Sequence, residues 1–244
     1  MRNVMACCAA LVAALVAALI APLIAAMAGT AAAWTVPARP VVAELFTSEG
    51  CSSCPPAEAL MAALAARDPG VLVLAYHVTY WDRLGWPDRY GLPQATARQR
   101  TYAARLGLDA VYTPQLVVDG ARDVVGSDGS AVRAALAAAA GERLPAVALT
   151  LTRTAQGVSV TLPAADGRGE LLLVGYDTRH ATPVARGENA GRVLIEANVV
   201  RSIRSLGAWR GMAWQVQAAA PPGEHLAALL QSADGRIIGA ATAP

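Results

Sequence analysis

The stretch Val41-Val42-Ala43-Glu44-Leu45-Phe46-Thr47-Ser48-Glu49-Gly50-Cys51-Ser52-Ser53-Cys54-Pro55-Pro56-Ala57 decides how this chain is read. Val41 to Phe46 is β-branched and apolar, with Glu44 as the one exception, and predicts a buried strand. Thr47 to Gly50 is a turn. Two cysteines three positions apart follow, and Pro55-Pro56 then opens a helix running to about Arg67, because proline suits a first helical turn whose N–H groups have no partners. Asp68-Pro69-Gly70 stops that helix. Val71 to Val78 is a second apolar strand, parallel to the first through a right-handed crossover.

Outward from this unit the pattern continues. Thr79 to Pro93 is rich in Tyr, Trp, Asp, Gly and Pro and predicts an ordered loop. Gln94 to Leu106 reads as a helix ending at Gly107. Thr113-Pro114 precedes a third strand, Gln115 to Val118. Asp119-Gly120 is a hairpin signal, with the return through Val124-Val125. Ser130 to Ala140 is a third helix, with Ser127 or Ser130 as its cap. The order is βαβαββα over residues 37–141. Beyond Gly141 to Pro145 the period shortens. Candidate strands lie at Ala146 to Thr152, Val158 to Leu162, Leu171 to Tyr176, Val193 to Leu206, Ala213 to Gln217, Leu226 to Ser232 and Arg236 to Ala241. These predict a smaller β-sandwich-like domain over 145–244, so the fold class is α/β with a β-rich second part.

Toward the N-terminus, Arg2 supplies a positive charge, Val4 to Ala28 is apolar and Ala31-Ala32-Ala33 is a small-residue cleavage pattern. Residues 1–33 therefore read as an export signal, with Trp34 first in the mature chain and a periplasmic or secreted location. The alternative is an uncleaved anchor, since the apolar run is long enough to span a bilayer; after cleavage no membrane span is expected. Cys7 and Cys8 lie too close to the start to mark a lipoprotein. The formal net charge of the 244 residues is +2, which gives no reason to expect nucleic acid as a partner. All the basic side chains are arginine.

Loss of the signal leaves Cys51 and Cys54, which within one chain can pair only with each other. A bridge closing so short a loop is a poor staple, worth roughly 2 kcal/mol against about 3 for a fifteen-residue loop. Chemistry is the better explanation. The first cysteine falls at the helix start, where N–H groups and the helix dipole stabilise a thiolate. Cys51 is thus the expected attacking thiol and Cys54 the resolving thiol. The third strand runs antiparallel to the first, which brings Thr113-Pro114 to the same edge; a cis bond there would leave the Thr113 backbone free to pair with an extended peptide.

The block from Glu44 to Ala57 resembles the opening of an exported thioredoxin-like family known as domain of unknown function 1223. So do Tyr76 to Asp82, Ala97-Arg98-Gln99-Arg100, Val111 to Gln115, Val124 to Asp128, Arg186 to Arg192 and Asn198-Val199-Val200. The resemblance implies a thioredoxin-like domain with a β-rich tail and no settled reaction. Compared with thioredoxin itself, the Trp before the first cysteine is missing and Ser-Ser replaces Gly-Pro between the two.

Other residues have two readings each. Glu44, if buried close to the dithiol, could take the resolving thiol's proton, or it could point to solvent or bind backbone N–H groups. His77, at the end of the second strand, could tune a thiolate, join both cysteines as a copper(I) ligand, or be a satisfied structural residue. Tyr80, Trp81 and Trp86 either line a groove or pack the loop. Glu188-Asn189 is a turn between strands or an edge touching the first domain. His180 and His225 are expected at the surface. The leading expectation is an exported thiol–disulfide oxidoreductase acting on protein or small-molecule thiols and disulfides, with no cofactor beyond the dithiol. A copper-binding protein and an interaction module with an inert disulfide are the alternatives.

Overall fold

The structure is a computed structural model, which describes residues 39–142 and 146–243. The expected signal at 1–33, the cleavage point before Trp34, Cys7 and Cys8, the first two residues of the 37–40 linker and the last three of the 141–145 boundary lie outside them.

Strand β1 (Val41–Thr47) is buried along its whole length. Helix α1 (Pro55–Arg67) follows, and β2 (Val71–His77) pairs parallel to β1 from Val41↔Val71 to Thr47↔His77. The loop after β2 holds a short 3₁₀ turn at Asp82–Leu84. Helix α2 (Pro93–Leu106) ends at Gly107, whose φ of 68° is the left-handed stop that glycine adopts without strain. Strand β3 (Gln115–Val118) runs antiparallel to β1. Asp119 and Gly120 both have positive φ at the centre of a turn closed by Ala121 N–H to Val118 O at 3.0 Å, which leads into β4 (Arg122–Val125). Helix α3 (Gly129–Gly141) is capped by neither serine proposed above. Asp128 stands in an extended conformation, and its carboxylate accepts from Ser130 N–H and Ala131 N–H.

Alternation along β1 assigns its two faces. Val41, Ala43 and Leu45 pack with Ala57 and Met61 of α1 and Val132 and Leu136 of α3. Val42 and Phe46 pack on the other face with Ala95 and Tyr102 of α2. Period-2 geometry puts Thr47 on the α1 face and Glu44 on the α2 face.

The β-rich part contributes β5 (Thr150–Thr154), β6 (Gly157–Leu162), β7 (Gly169–Pro183), β8 (Val193–Trp209), β9 (Trp214–Ala218), β10 (His225–Ser232) and β11 (Ile237–Ala243). Strands β5, β6 and β9 form a three-stranded sheet. Its apolar side, with Val158, Val160 and Leu162, packs on Leu171, Leu173, Leu226, Ala228 and Leu230 of the large sheet, which gives the sandwich-like layering. The large sheet has eight strands in the order β11-β10-β7-β8-β2-β1-β3-β4, so it runs through both parts of the sequence. The junction is a parallel bridge between Ala75 of β2 and Val199 of β8. Next to it, Asn198 takes a positive φ of 52° and donates from Nδ2 to Val73 O at 2.9 Å. The change of period near residue 141 marks where helices give way to strands alone, two of them the long β7 and β8. It does not mark an end of the sheet. Among the described residues no helix is long and apolar enough to cross a membrane.

Candidate functional site

The turn between β1 and α1 is closed by Cys51 N–H to Ser48 O at 3.0 Å and Cys54 N–H to Cys51 O at 3.2 Å. Cys51 and Cys54 form a disulfide with Cα atoms 5.5 Å apart. Both residues have no exposed surface. The helix start offers fewer donors than the sequence suggested. Pro55 and Pro56 have no N–H, and the Ala57 and Glu58 N–H groups return to Cys54 O at 2.9 and 3.2 Å.

The Thr113–Pro114 bond is cis. Ser53 Oγ lies 3.3 Å from Cys51 Sγ and donates to Thr113 O at 3.4 Å. Trp81 Nε1 donates to Thr113 Oγ1 at 2.9 Å. Gly126 leaves room for this arrangement: a Cβ there would lie 2.8 Å from Leu45 Cδ1, 3.3 Å from Ala57 Cβ and 3.5 Å from Pro114 Cβ. Thr113 and Pro114 therefore sit beside the cysteine turn and the first turn of α1.

A second wall comes from the far end of the chain. The β7–β8 connection turns back over the cysteine turn. Asn189, fully buried, donates from Nδ2 to Glu49 O and to Cys51 O, both at 2.9 Å. Glu188 Oε2 accepts from Ser52 Oγ at 2.6 Å and from Ser52 N–H at 3.2 Å. These bonds hold its carboxyl below the ordinary range. Arg192 Nη1 donates to Asn189 Oδ1 at 3.0 Å and fixes that amide. Both readings of Glu188-Asn189 hold, since it is a turn that also contacts the first part of the fold.

Behind the disulfide, on the α1 face, lies a buried group of ionisable side chains. Thr47 Oγ1 donates to Glu58 Oε1 at 2.7 Å. His77 Nδ1 meets Asp88 Oδ2 at 2.8 Å, and His77 Nε2 lies 3.7 Å from Glu196 Oε1. Asp88 Oδ2 also accepts from Glu49 N–H, and Glu49 Oε2 accepts from Trp86 Nε1, each at 2.7 Å. Burial raises the Glu58 carboxyl, against the Thr47 bond and the His77 charge. Burial also pushes Glu196 up to about 8, helped by Glu58, Glu49 and Asp88. For His77 burial works downward, but Asp88 with Glu196 and Glu58 raise it to about 10. Asp88 resists burial because His77 and the N–H groups of Glu49 and Tyr90 hold it low. Both oxygens of Glu196, His77 Nε2 and Glu49 Oε1 have no hydrogen-bond partner among the described residues.

The proton-acceptor reading of Glu44 is corrected by this geometry. Its side chain points to the α2 face, away from α1, where Arg98 holds it at 2.7 Å (Nε to Oε1) and 3.0 Å (Nη2 to Oε2) and Tyr102 donates to Oε2. The Cys51–Cys54–His77 copper set is not assembled either, because both nitrogens of His77 face carboxylates. Trp81 and Tyr80 pack against the core on the α2 face of the sheet. His180 and His225 are half-buried: His180 bonds Asp177 at 2.8 Å and stacks on Tyr90, and His225 stacks on Tyr176. Sequence reasoning missed Glu58, although a residue four places after Cys54 on a helix falls on the same side. Asp88 and Glu196 carried no local signal.

A mixed α/β chain with a covered disulfide at a strand–helix junction is thus the class that fold and site define. The chain belongs to the family described as Protein of unknown function (DUF1223), which matches residues 42–231. A crystal structure of a protein from Agrobacterium tumefaciens is similar at a TM-score of 0.71 with 28% identity, over 83% of this chain and 92% of that one. HBP35 of Porphyromonas gingivalis shares the fold at a TM-score of 0.58 with 14% identity, over 84% of this chain and 74% of that one. No curated protein matches the chain.

Proposed function

We propose that this chain is an exported thiol–disulfide oxidoreductase of thioredoxin-like build, working in the periplasm or outside the cell. Cys51 is its attacking thiol and Cys54 its resolving thiol, and its partners are protein or small-molecule thiols and disulfides. The observation that carries this reading is the Cys51–Cys54 disulfide at the start of α1, with the Thr113 backbone beside it through Ser53. A short bridge there adds little stability, whereas exchange needs two sulfurs at this spacing and a neighbouring strand end for a partner to lie against. Residues 37–141 supply the thioredoxin-like portion and 145–244 the β-rich portion.

Exchange begins when a partner thiolate attacks one sulfur of the pair and forms a mixed disulfide, which the second cysteine later resolves. Cys54→Ser should trap mixed disulfides through Cys51 in cell extracts, and Cys51→Ser should trap few or none. Equal alkylation of both thiols with no captured partner for either variant would sink the oxidoreductase reading. One observation favours a second reading, a disulfide that only holds the turn: both cysteines are wholly covered. That reading expects no trapping and slow alkylation of both thiols after reduction.

A further inference from the structure

A Cys51 thiolate, once formed, has to find hydrogen-bond donors in its own turn, because charge left without them in a buried site is costly. The supply is short: Ser53 Oγ, 3.3 Å from Cys51 Sγ, can turn its hydrogen to the sulfur only by giving up Thr113 O. Pro55 and Pro56 withhold two of the donors that a helix start ordinarily offers. Cys54 N–H returns to Cys51 O, and Ala57 and Glu58 N–H return to Cys54 O. Both donors of Ser52, the residue directly after Cys51, go to Glu188 Oε2 instead. Glu188 is exposed, yet its position is fixed. Its neighbour Asn189 is buried against Glu49 O and Cys51 O, and Gly187 turns at a φ of 79° against Trp86, where a Cβ would come within 3.1 Å of the Trp86 Cβ.

We propose that Glu188 sets the balance between the closed disulfide and the open dithiol. It occupies the Ser52 donors that a Cys51 thiolate would use, and it fixes a negative charge against the same turn. This rests on the oxidoreductase reading and names its regulation. In the step concerned, one thiolate of a partner dithiol attacks Cys51 Sγ. The S–S bond breaks, Cys54 leaves as a thiolate and takes up a proton, and a mixed disulfide joins Cys51 to the partner. The partner's second thiol gives up its proton and displaces Cys51, which departs as a thiolate while the partner leaves as a disulfide. Two electrons pass from partner to protein. The new charge on Cys51 then competes with Glu188 for Ser52 and is repelled by it, so the reverse reaction is favoured. The other charged groups around the turn are Glu49 with its partner Arg89, Glu58, His77, Asp88 and Glu196 behind it and Arg192 in the loop. All are unchanged in Glu188→Gln, Glu188→Ala and Ser52→Ala.

The test equilibrates the mature chain, Glu188→Gln, Glu188→Ala and Ser52→Ala with reduced and oxidised dithiothreitol, and follows alkylation of the reduced forms at mildly acidic pH. Glu188→Ala should shift the equilibrium constant toward the dithiol about tenfold, equivalent to about 30 mV for a two-electron couple. Glu188→Gln and Ser52→Ala should shift it less, in the same direction. Cys51 should alkylate several-fold faster in Glu188→Ala, and high salt should shrink the Glu188→Gln effect because the charge is exposed. Unchanged constants in all three variants, or a shift toward the disulfide, overturn the proposal alone. A wild-type pair that dithiothreitol cannot reduce in the folded chain overturns both the proposal and the oxidoreductase reading.

Discussion

Arg98 grips Glu44 through two parallel hydrogen bonds, Nε to Oε1 at 2.7 Å and Nη2 to Oε2 at 3.0 Å, on the face of β1 turned away from the disulfide. Tyr102 adds its hydroxyl to the same carboxylate, and Gln231 of β10 accepts from Arg98 Nη1 at 3.0 Å. The pair therefore ties β1, α2 and β10 together, with the Arg98 guanidinium over the rings of Tyr76 and Tyr102. Removing one partner of a buried ion pair strands the other charge. Arg98→Ala should cost about 3–5 kcal/mol in urea unfolding. Glu44→Gln should leave the kinetics of disulfide exchange unchanged across neutral pH. A slowed exchange in Glu44→Gln would restore it as a thiol base.

The group behind the disulfide makes stability depend on pH. Glu196 ionises near 4.5 in the unfolded chain and about 8 in the folded one, and His77 loses its proton near 6.5 unfolded and about 10 folded. Within each window the unfolded chain has given up a proton that the folded chain keeps. Stability from each group is full below the lower value and is lost as pH rises through the upper one. Asp88 is shifted the other way, so its contribution is present above 3.8 and lost as pH falls through its lowered value. The urea midpoint should fall as pH rises from 4.5 to 10. The limiting slope is about 1.4 kcal/mol per pH unit for each proton. Glu196→Gln should flatten the lower part of that fall. A midpoint constant over the whole range would contradict the retention of protons by Glu196 and His77 in the folded chain.

Asn189 pins the β7–β8 connection to the cysteine turn. Its Nδ2 donates to two backbone carbonyls of the cysteine turn. Asn189→Ala deletes both bonds in a buried setting, which costs about 1–3 kcal/mol. If reduction proceeds by lifting this loop off the covered cysteines, its rate with dithiothreitol in the folded chain should rise roughly tenfold or more. An unaltered rate would mean that reagents reach the disulfide from another side.

Helix α3 offers a local test. Asp128 accepts from Ser130 N–H and Ala131 N–H, and also from the Ser130 hydroxyl at 3.0 Å. Asp128→Ala should lower stability by about 1 kcal/mol. Ser127→Ala should change it little, which separates the observed cap from the serine cap suggested by the sequence.

Much of the local structure could be read from residues close in the chain. The Pro55 start and Arg67 end of α1, the Gly107 stop and the Asp119-Gly120 turn all emerged as expected, because each rests on backbone preferences of neighbouring residues. The face of Glu44 follows from simple alternation with Val42 and Phe46, but only once it is known which helix covers which side. The rest of the site has no such local cause. Ser52 and Glu188 are 136 positions apart, and Asn189 meets Cys51 across 138. Glu196 joins His77 only because β8 enters the sheet beside β2. Nothing in the spacing of residues 193–209 announces that neighbour, since a strand's alternation records its faces and not its edges.

The placement of β8 against β2 has a consequence for any shortened version of the chain. Strand β2 has the sequence VLVLAYH, without proline, lysine or carboxylate, and six of its seven residues are buried. With β8 absent it would form the outer border of the first half, presenting bare N–H and C=O groups along a flat apolar ribbon. Borders of that composition recruit strands from other molecules. The later half of the chain thus acts as a shield carried in cis, and a fragment cut near residue 142 would trade its missing neighbour for a copy of itself.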